Sequence, residues 1–280
     1  MTVPKIVIIV PYRDRECHRF VFNSIMPQVL DDKDYKIFYI HQNDKRLFNR
    51  GAIKNIGFLY VKSRYQSDYK NITFVFNDID CMPYKKGQFS YDTKLNEINH
   101  FYGFKHTLGG ILAIKGKDYE DINGFPNIWT WGLEDNCLQK RCYLFKKTIK
   151  RNEFIEHNNF NDIIVMHHGY KRVISDNIES KFIEDKGKDG INTIRNLKIS
   201  SVTELKKNIF EVNVDNFTVP EKFDSPFVKN ARELSIFKNV RLNRGLIKNR
   251  KNYRGYIKNG KLGGERNFGK MINNKDFMLF

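Results

Sequence analysis

The chain has 280 residues, 40% hydrophobic and 14% aromatic, which is enough apolar material for one large α/β domain with at most a small appendage. Its formal net charge of +17 favours anionic partners: phosphorylated compounds, acidic glycans, nucleic acid or anionic lipid. The four cysteines, Cys17, Cys81, Cys137 and Cys142, make no CxxC pair and no zinc spacing, which argues for free thiols in a reducing compartment and against a disulfide framework.

Met1 to Lys5 lead straight into an apolar run, without the charged and apolar regions of a signal peptide. No stretch approaches the roughly 18 apolar residues of a membrane span. The expectation is a soluble, cytoplasmic chain. Lys5–Pro11 (KIVIIVP) is a continuous β-branched run and predicts a strand buried on both faces of a parallel sheet. Glu16–Leu30 has helical spacing, with Phe20, Val21, Ile25 and Val29 sharing a face. A strand at Tyr35–His41, a helix at Asn49–Ser63 (Ile53, Ile56, Gly57 and Tyr60 on one side) and a strand at Asn71–Phe76 follow. This alternation predicts right-handed βαβ units. Further on come a strand at Gly109–Ile114, a short helix at Asp118–Ile122 and a turn at Gly124–Pro126. The Trp129–Leu133 loop then leads into a helix at Glu134–Leu144 with acids in its first turn. Ile163–Met166 reads as a strand, Asp189–Ile194 as a helix or turn, and Phe210–Val214 as a last alternating strand.

Beyond Asn216 the periodicity weakens. Residues 218–280 hold 15 Lys/Arg against 5 Asp/Glu. The organisation expected is a catalytic domain at 1–217 and a basic extension at 218–280. Lys248–Arg254, with Tyr253 and Tyr256 interleaved, suits contact with a polyanion or a solvated, packing extension.

Several clusters can carry chemistry. Asp78 and Asp80 follow the third strand, where open α/β sheets bind ligands. In an extended segment they fall on one side and can hold a divalent cation, although an Asx-rich turn has the same composition. Met166, His167 and His168 end another apolar run, and a histidine there either completes a metal shell or is satisfied by ordinary hydrogen bonds. Trp129-Thr130-Trp131-Gly132-Leu133-Glu134-Asp135 either joins aromatic faces for a sugar ring, a movable glycine and a carboxylate able to take a hydroxyl proton, or is a helix start with acids beside core aromatics. Pro11-Tyr12-Arg13-Asp14-Arg15 and Phe48-Asn49-Arg50 leave strand ends with cations for a diphosphate and aromatics for a base, or else are solvated basic loops.

Taken together, PYRDR, FNRGAIKNIGF, FVFNDID, GFKHTLGGILAI, NGFPNIWTWGLED and DGINTI resemble, in order and spacing, the β-1,4-galactosyltransferases of glycosyltransferase family 7 over about residues 5–217. The resemblance implies a GT-A fold with a mixed, mostly parallel central sheet. It implies inverting transfer from a UDP-sugar, UDP-galactose or UDP-GalNAc, to a saccharide acceptor with Mn²⁺ or another divalent cation. By this resemblance Pro11, Tyr12, Arg13, Asp14, Arg15, Phe48, Asn49 and Arg50 hold UDP, with Asp78 and Ile79 beside it. Asp80, His168 and Met166 (His167 as rival) hold the metal, Trp131 and Gly132 close over the donor, and Asp135 is the base with Glu134 beside it. Thr107 stands where galactose-selective members have tyrosine, which leaves room for an N-acetyl group. The rival enzyme is a retaining polypeptide GalNAc-transferase, and the rival class is a lapsed transferase fold that binds polyanions or glycans.

Overall fold

A computed structural model of the chain describes residues 2–157, 159–166, 173–175, 178–221 and 227–228. In chain order the elements are β1 (Ile6–Tyr12), α1 (Glu16–Val29), β2 (Tyr35–Gln42), α2 (Arg50–Arg64), β3 (Thr73–Asn77), β4 (Cys81–Met82), β5 (Glu97–Gly103), β6 (Ile111–Lys115), α3 (Gly116–Asp121) and α4 (Glu134–Leu144). They continue with β7 (Thr148–Lys150), β8 (Ile155–Glu156), β9 (Ile164–Val165), β10 (Ile174–Ser175), α5 (Ile178–Glu184), a 3₁₀ turn (Ile191–Thr193), β11 (Arg195–Lys206), β12 (Ile209–Thr218) and β13 (Phe227–Val228).

One mixed sheet runs β11-β12-β2-β1-β3-β6-β5-β7, with β8 also on β5. Strands β12, β2, β1 and β3 are mutually parallel. The direction reverses at β6, which is antiparallel to both β3 and β5. Every residue of β1 is buried, because helices cover both faces of the sheet. Val7 and Ile9 meet α2 through Ile53 and Ile56, while Ile6, Ile8 and Val10 meet α1 through Phe22 and Met26. Helix α2 lies close on the sheet: a Cβ at Gly57 would stand 2.6 Å from the Ile9 side chain.

The first three strands, α2 and α4 fall where the periodicity placed them, to within two residues. Helix α1 faces the sheet with a different stripe from the one expected. His18, Phe22, Met26 and Val29 are buried, and Phe20 is 74% exposed. The stripe repeats every three to four residues from His18, and Phe20 stands half a turn away. Strands β5, β7, β8 and β11 and helix α5 were not expected. Strand β11 is exposed along nearly its whole length and, among the described residues, pairs only with β12, so no core alternation marks it. The four cysteines are free. No helix among the described residues is long and apolar enough to cross a membrane. His167, His168 and most of 218–280 lie outside the described residues.

Candidate active site

A cleft of about 390 Å³ opens at the carboxyl ends of β1 and β3. Pro11, Arg13 and Arg15 enter it from the end of β1, Phe48 and Arg50 from the start of α2, and Asp78, Ile79 and Asp80 from the end of β3. Trp131, Gly132, Glu134 and Asp135 close the other side. Segments separated by more than 120 residues thus meet in one cavity, as open α/β sheets allow at a switch in strand order.

Arg50 is the hub of the acidic wall. Its guanidinium pairs with the Asp78 carboxylate, with Glu134 at 2.5 Å and with Asp135 at 2.9 Å. Lys54, one turn along α2, reaches Asp135 Oδ1 at 3.3 Å and Asp78 Oδ1 at 3.4 Å, and its side chain is 1% exposed. Two cationic side chains therefore serve three carboxylates. Arg50 is held well above its already high ordinary pKa: burial alone would lower it, but Asp135, Asp78 and Glu134 outweigh that. Burial would raise Asp78, yet Arg50 and Lys54 outweigh it and hold the carboxyl below its ordinary range. Asp135 goes the other way. Burial raises it, Glu134 and Asp78 add to the rise, and Arg50 and Lys54 offset only part of it.

The glycines before β6 follow from this packing. A Cβ at Gly109 would stand 2.5 Å from Asp135 Oδ2, and Gly110 has φ +75° with Tyr102 close against it. His100 supports Gly109 from behind. Arg151 donates to its Nδ1 at 3.2 Å, so its proton sits on Nε2, which donates to the Gly109 carbonyl at 2.9 Å. Burial, then the Arg151 charge, push this imidazole down to about 3. Gly132 and Leu133 turn the chain into α4 with φ of +118° and +60°. The leucine thus occupies a left-handed position that glycine suits better, at a cost of about 1–2 kcal/mol. The turn lets the Gly132 amide donate to Glu134 at 3.1 Å.

Asp78 and Asp80 do not lie side by side on an extended strand. Residues 78–81 turn, with the Cys81 amide donating to the Asp78 carbonyl at 3.3 Å, so Asp78 faces Arg50 and Lys54 while Asp80 lies at the foot of the β4–β9 ribbon. Met166 donates its amide to the Asp80 carbonyl at 2.8 Å, which extends the antiparallel Cys81–Val165 pairing. The thioether residue and the carboxylate are therefore neighbours, with the histidines next in sequence. His167 and His168 lie outside the described residues. Carboxylate, thioether and imidazole donors together suit a first-row transition ion better than Mg²⁺ or Ca²⁺.

Four expected site residues among the described ones, Met166, Tyr12, Asp14 and Asn49, do not line the cleft; Met166 stands one residue past Val165, which does. Tyr12 is 3% exposed and turns into the core, edge-on to Tyr39 and His41 with Arg19 over its ring, and is not available to stack on a base. Asp14 points to solvent. Asn49 is fully buried as the N-cap of α2, accepting from the Ala52 amide at 2.9 Å. The tryptophans also part company. Trp129 is buried, stacked on Phe217 at 5.2 Å, with Arg46 over it, whereas Trp131 lines the cleft and is held by its amide to the Val173 carbonyl at 2.8 Å.

The sequence reading missed Lys54, although its i, i+4 spacing from Arg50 inside an apolar helix marks it. It also missed Tyr102 and His157, which line the cleft hydroxyl to Nδ1 at 3.1 Å and belong to no motif.

Residues 1–91 match the family model for the N-terminal region of glycosyl transferase group 7, and residues 90–168 match that for the N-terminal domain of galactosyltransferase. The chain is 29% identical over 162 residues to β-1,4-galactosyltransferase 4 of Cricetulus griseus, covering 53% of this chain and 45% of that protein. It is 31% identical over 158 residues to β-1,4-galactosyltransferase 1 of Homo sapiens, covering 52% and 39%. It thus spans less than half the length of these curated relatives. A mutant of Drosophila β-1,4-galactosyltransferase 7, crystallised with manganese, UDP-Gal and xylobiose, shares the fold at a TM-score of 0.66 and 22% identity, over 79% of this chain and 96% of that one. The fold is GT-A-like, the two family models adjoin without a gap over β1 to the end of the β4–β9 ribbon, and the chain belongs to glycosyl transferase group 7.

Proposed function

We propose that this protein transfers galactose, or GalNAc, from its UDP-sugar to a hydroxyl of a saccharide acceptor, with inversion and with Mn²⁺ or a similar divalent ion. The observation that carries the reading is the single acidic wall on which Asp78, Glu134 and Asp135 converge at Arg50, in one cleft with Asp80 and Trp131. The relatives' names, and the manganese, UDP-Gal and xylobiose of the Drosophila structure, support the donor, ion and acceptor class. Thr107 lines the cleft and is smaller than tyrosine, which keeps UDP-GalNAc in competition with UDP-galactose.

Arg13 and Arg15 face the diphosphate, and Phe48, with the Arg13 guanidinium 5.2 Å from its ring centroid, flanks the nucleotide. Asp80, Met166 and His168 would hold the ion, which when bound neutralises charge gained by the departing diphosphate. Trp131 and Gly132 shield the donor from water. Asp135 accepts the acceptor hydroxyl's proton as that oxygen bonds to the anomeric carbon. The bond from that carbon to UDP breaks, and its electron pair leaves with the diphosphate. Glu134 holds the Gly132 amide and Arg50 and so fixes the loop against the base.

The test is a panel of UDP-sugars with Mn²⁺, scored for hydrolysis and for transfer to monosaccharides, with a chelator control. Turnover is expected with UDP-galactose or UDP-GalNAc, abolished by chelation and restored by Mn²⁺, with an inverted product by NMR. Asp135→Asn should keep UDP-sugar affinity and lose transfer by about 10²-fold or more; near-normal turnover in that variant removes Asp135 from its role.

A further inference from the structure

Lys54 is unusual for its place. A lysine 1% exposed is expensive to bury unless paired, and this one stands between the apolar residues of α2, its Nζ 4.4 Å from the Phe125 ring centroid. Helix stability and core packing would favour an apolar residue there. Both of its ionic partners, Asp78 and Asp135, line the cleft, while Lys54 lies outside the cleft's lining.

The two cations divide the Asp135 carboxylate between them. Arg50 takes Oδ2 at 2.9 Å and Lys54 takes Oδ1 at 3.3 Å. Arg50 lines the cleft, where a bound diphosphate or sugar can compete for its donors. Lys54 has no such route, since it is sealed beneath the acidic wall. Asp78 Oδ1 makes no hydrogen bond there, and Lys54 is the cation that faces it.

We propose that Lys54 is a positioning residue for transfer: it is the fixed counter-charge that keeps the Asp135 carboxylate in place and aimed at the acceptor while Arg50 exchanges its partners for the donor. This rests on the reading of Asp135 as the base. A carboxylate anchored on one oxygen by a buried cation cannot swing toward Arg50 or out to solvent, and orientation of this kind governs the chemical step more than binding.

Lys54→Met, of similar length and without charge, is to be compared with wild type and Asp135→Asn for kcat, for KM of each substrate, for UDP affinity by calorimetry and for thermal midpoint. The expected result is a kcat lower by about 10- to 100-fold, with UDP affinity and donor KM within about twofold. Should Lys54→Met not fold, Lys54→Gln, which keeps a donor and drops the charge, is measured in its place with the same expectation. A kcat within about threefold of wild type, or a loss found wholly in donor KM, overturns the assignment. Where Asp135→Asn loses transfer and the Lys54 variant keeps it, only the role of Lys54 falls. Where Asp135→Asn itself keeps transfer, the reading of the base falls and Lys54 with it.

Discussion

Residues of one type take different work in this site. Asp78 is held below its ordinary range by Arg50 and Lys54 despite burial, whereas Asp135, sharing the same two cations, is raised because burial and the neighbouring Glu134 and Asp78 prevail. In the proposed transfer Asp135 is the base, and a base must be ionised to receive a proton. A raised pKa therefore moves the acid limb of transfer upward, so kcat should fall with decreasing pH through a value above the ordinary carboxylate figure of about 4. A kcat profile at saturating Mn²⁺ and both substrates checks this; full activity persisting down to pH 4 would contradict it. Trp129 and Trp131 are divided in the same way, one stacked into the core on Phe217 and one on the cleft.

At the level of elements, α2 is the strut of the site. Asn49 caps it, Arg50 and Lys54 project from its first two turns, and Gly57 brings it close on β1 and β2. Gly51 packs against the Pro126 carbonyl, which a methyl group would overlap. Because that neighbour is backbone, it cannot move aside by changing rotamer. Gly51→Ala should destabilise by about 1–3 kcal/mol, and by shifting the helix start it should also disturb Arg50. Urea denaturation reads the first effect and UDP-sugar affinity the second; a wild-type unfolding midpoint would show that the helix end is free to move. The β4–β9 ribbon is the other such device. Two residues from each strand suffice to bring Met166 against Asp80, because the antiparallel register fixes which residues face each other.

At the scale of the described molecule, the segment that follows α5 is tied back to α4 through buried ionic contacts. Arg141, fully buried on α4, pairs with Asp185 at 2.6 Å and donates to the Gly124 and Asp189 carbonyls at 2.6 Å each. Asp189 in turn accepts from the Asn127 amide at 2.6 Å. Arg141→Met would strand Asp185 without its cation, and loss of one partner of a buried pair costs about 3–5 kcal/mol. Equilibrium unfolding in denaturant should show that loss, and a change under 1 kcal/mol would mean water replaces the guanidinium. The amino-acid sequence by itself determined the order of β1, α1, β2, α2 and β3, the acids behind β3, the Glu134–Asp135 helix start and the family pattern. These are local matters: an apolar run such as KIVIIVP or a helix start is set by neighbours within a few residues. Tertiary structure alone decided that Arg50 meets acids 84 and 85 residues away, that Lys54 is buried beside Asp78 and Asp135, that Tyr12 turns inward, and that β12 returns to lie parallel to β2. Those outcomes depend on which distant surfaces come into contact, and the spacing of residues along one segment carries no information about a partner on another.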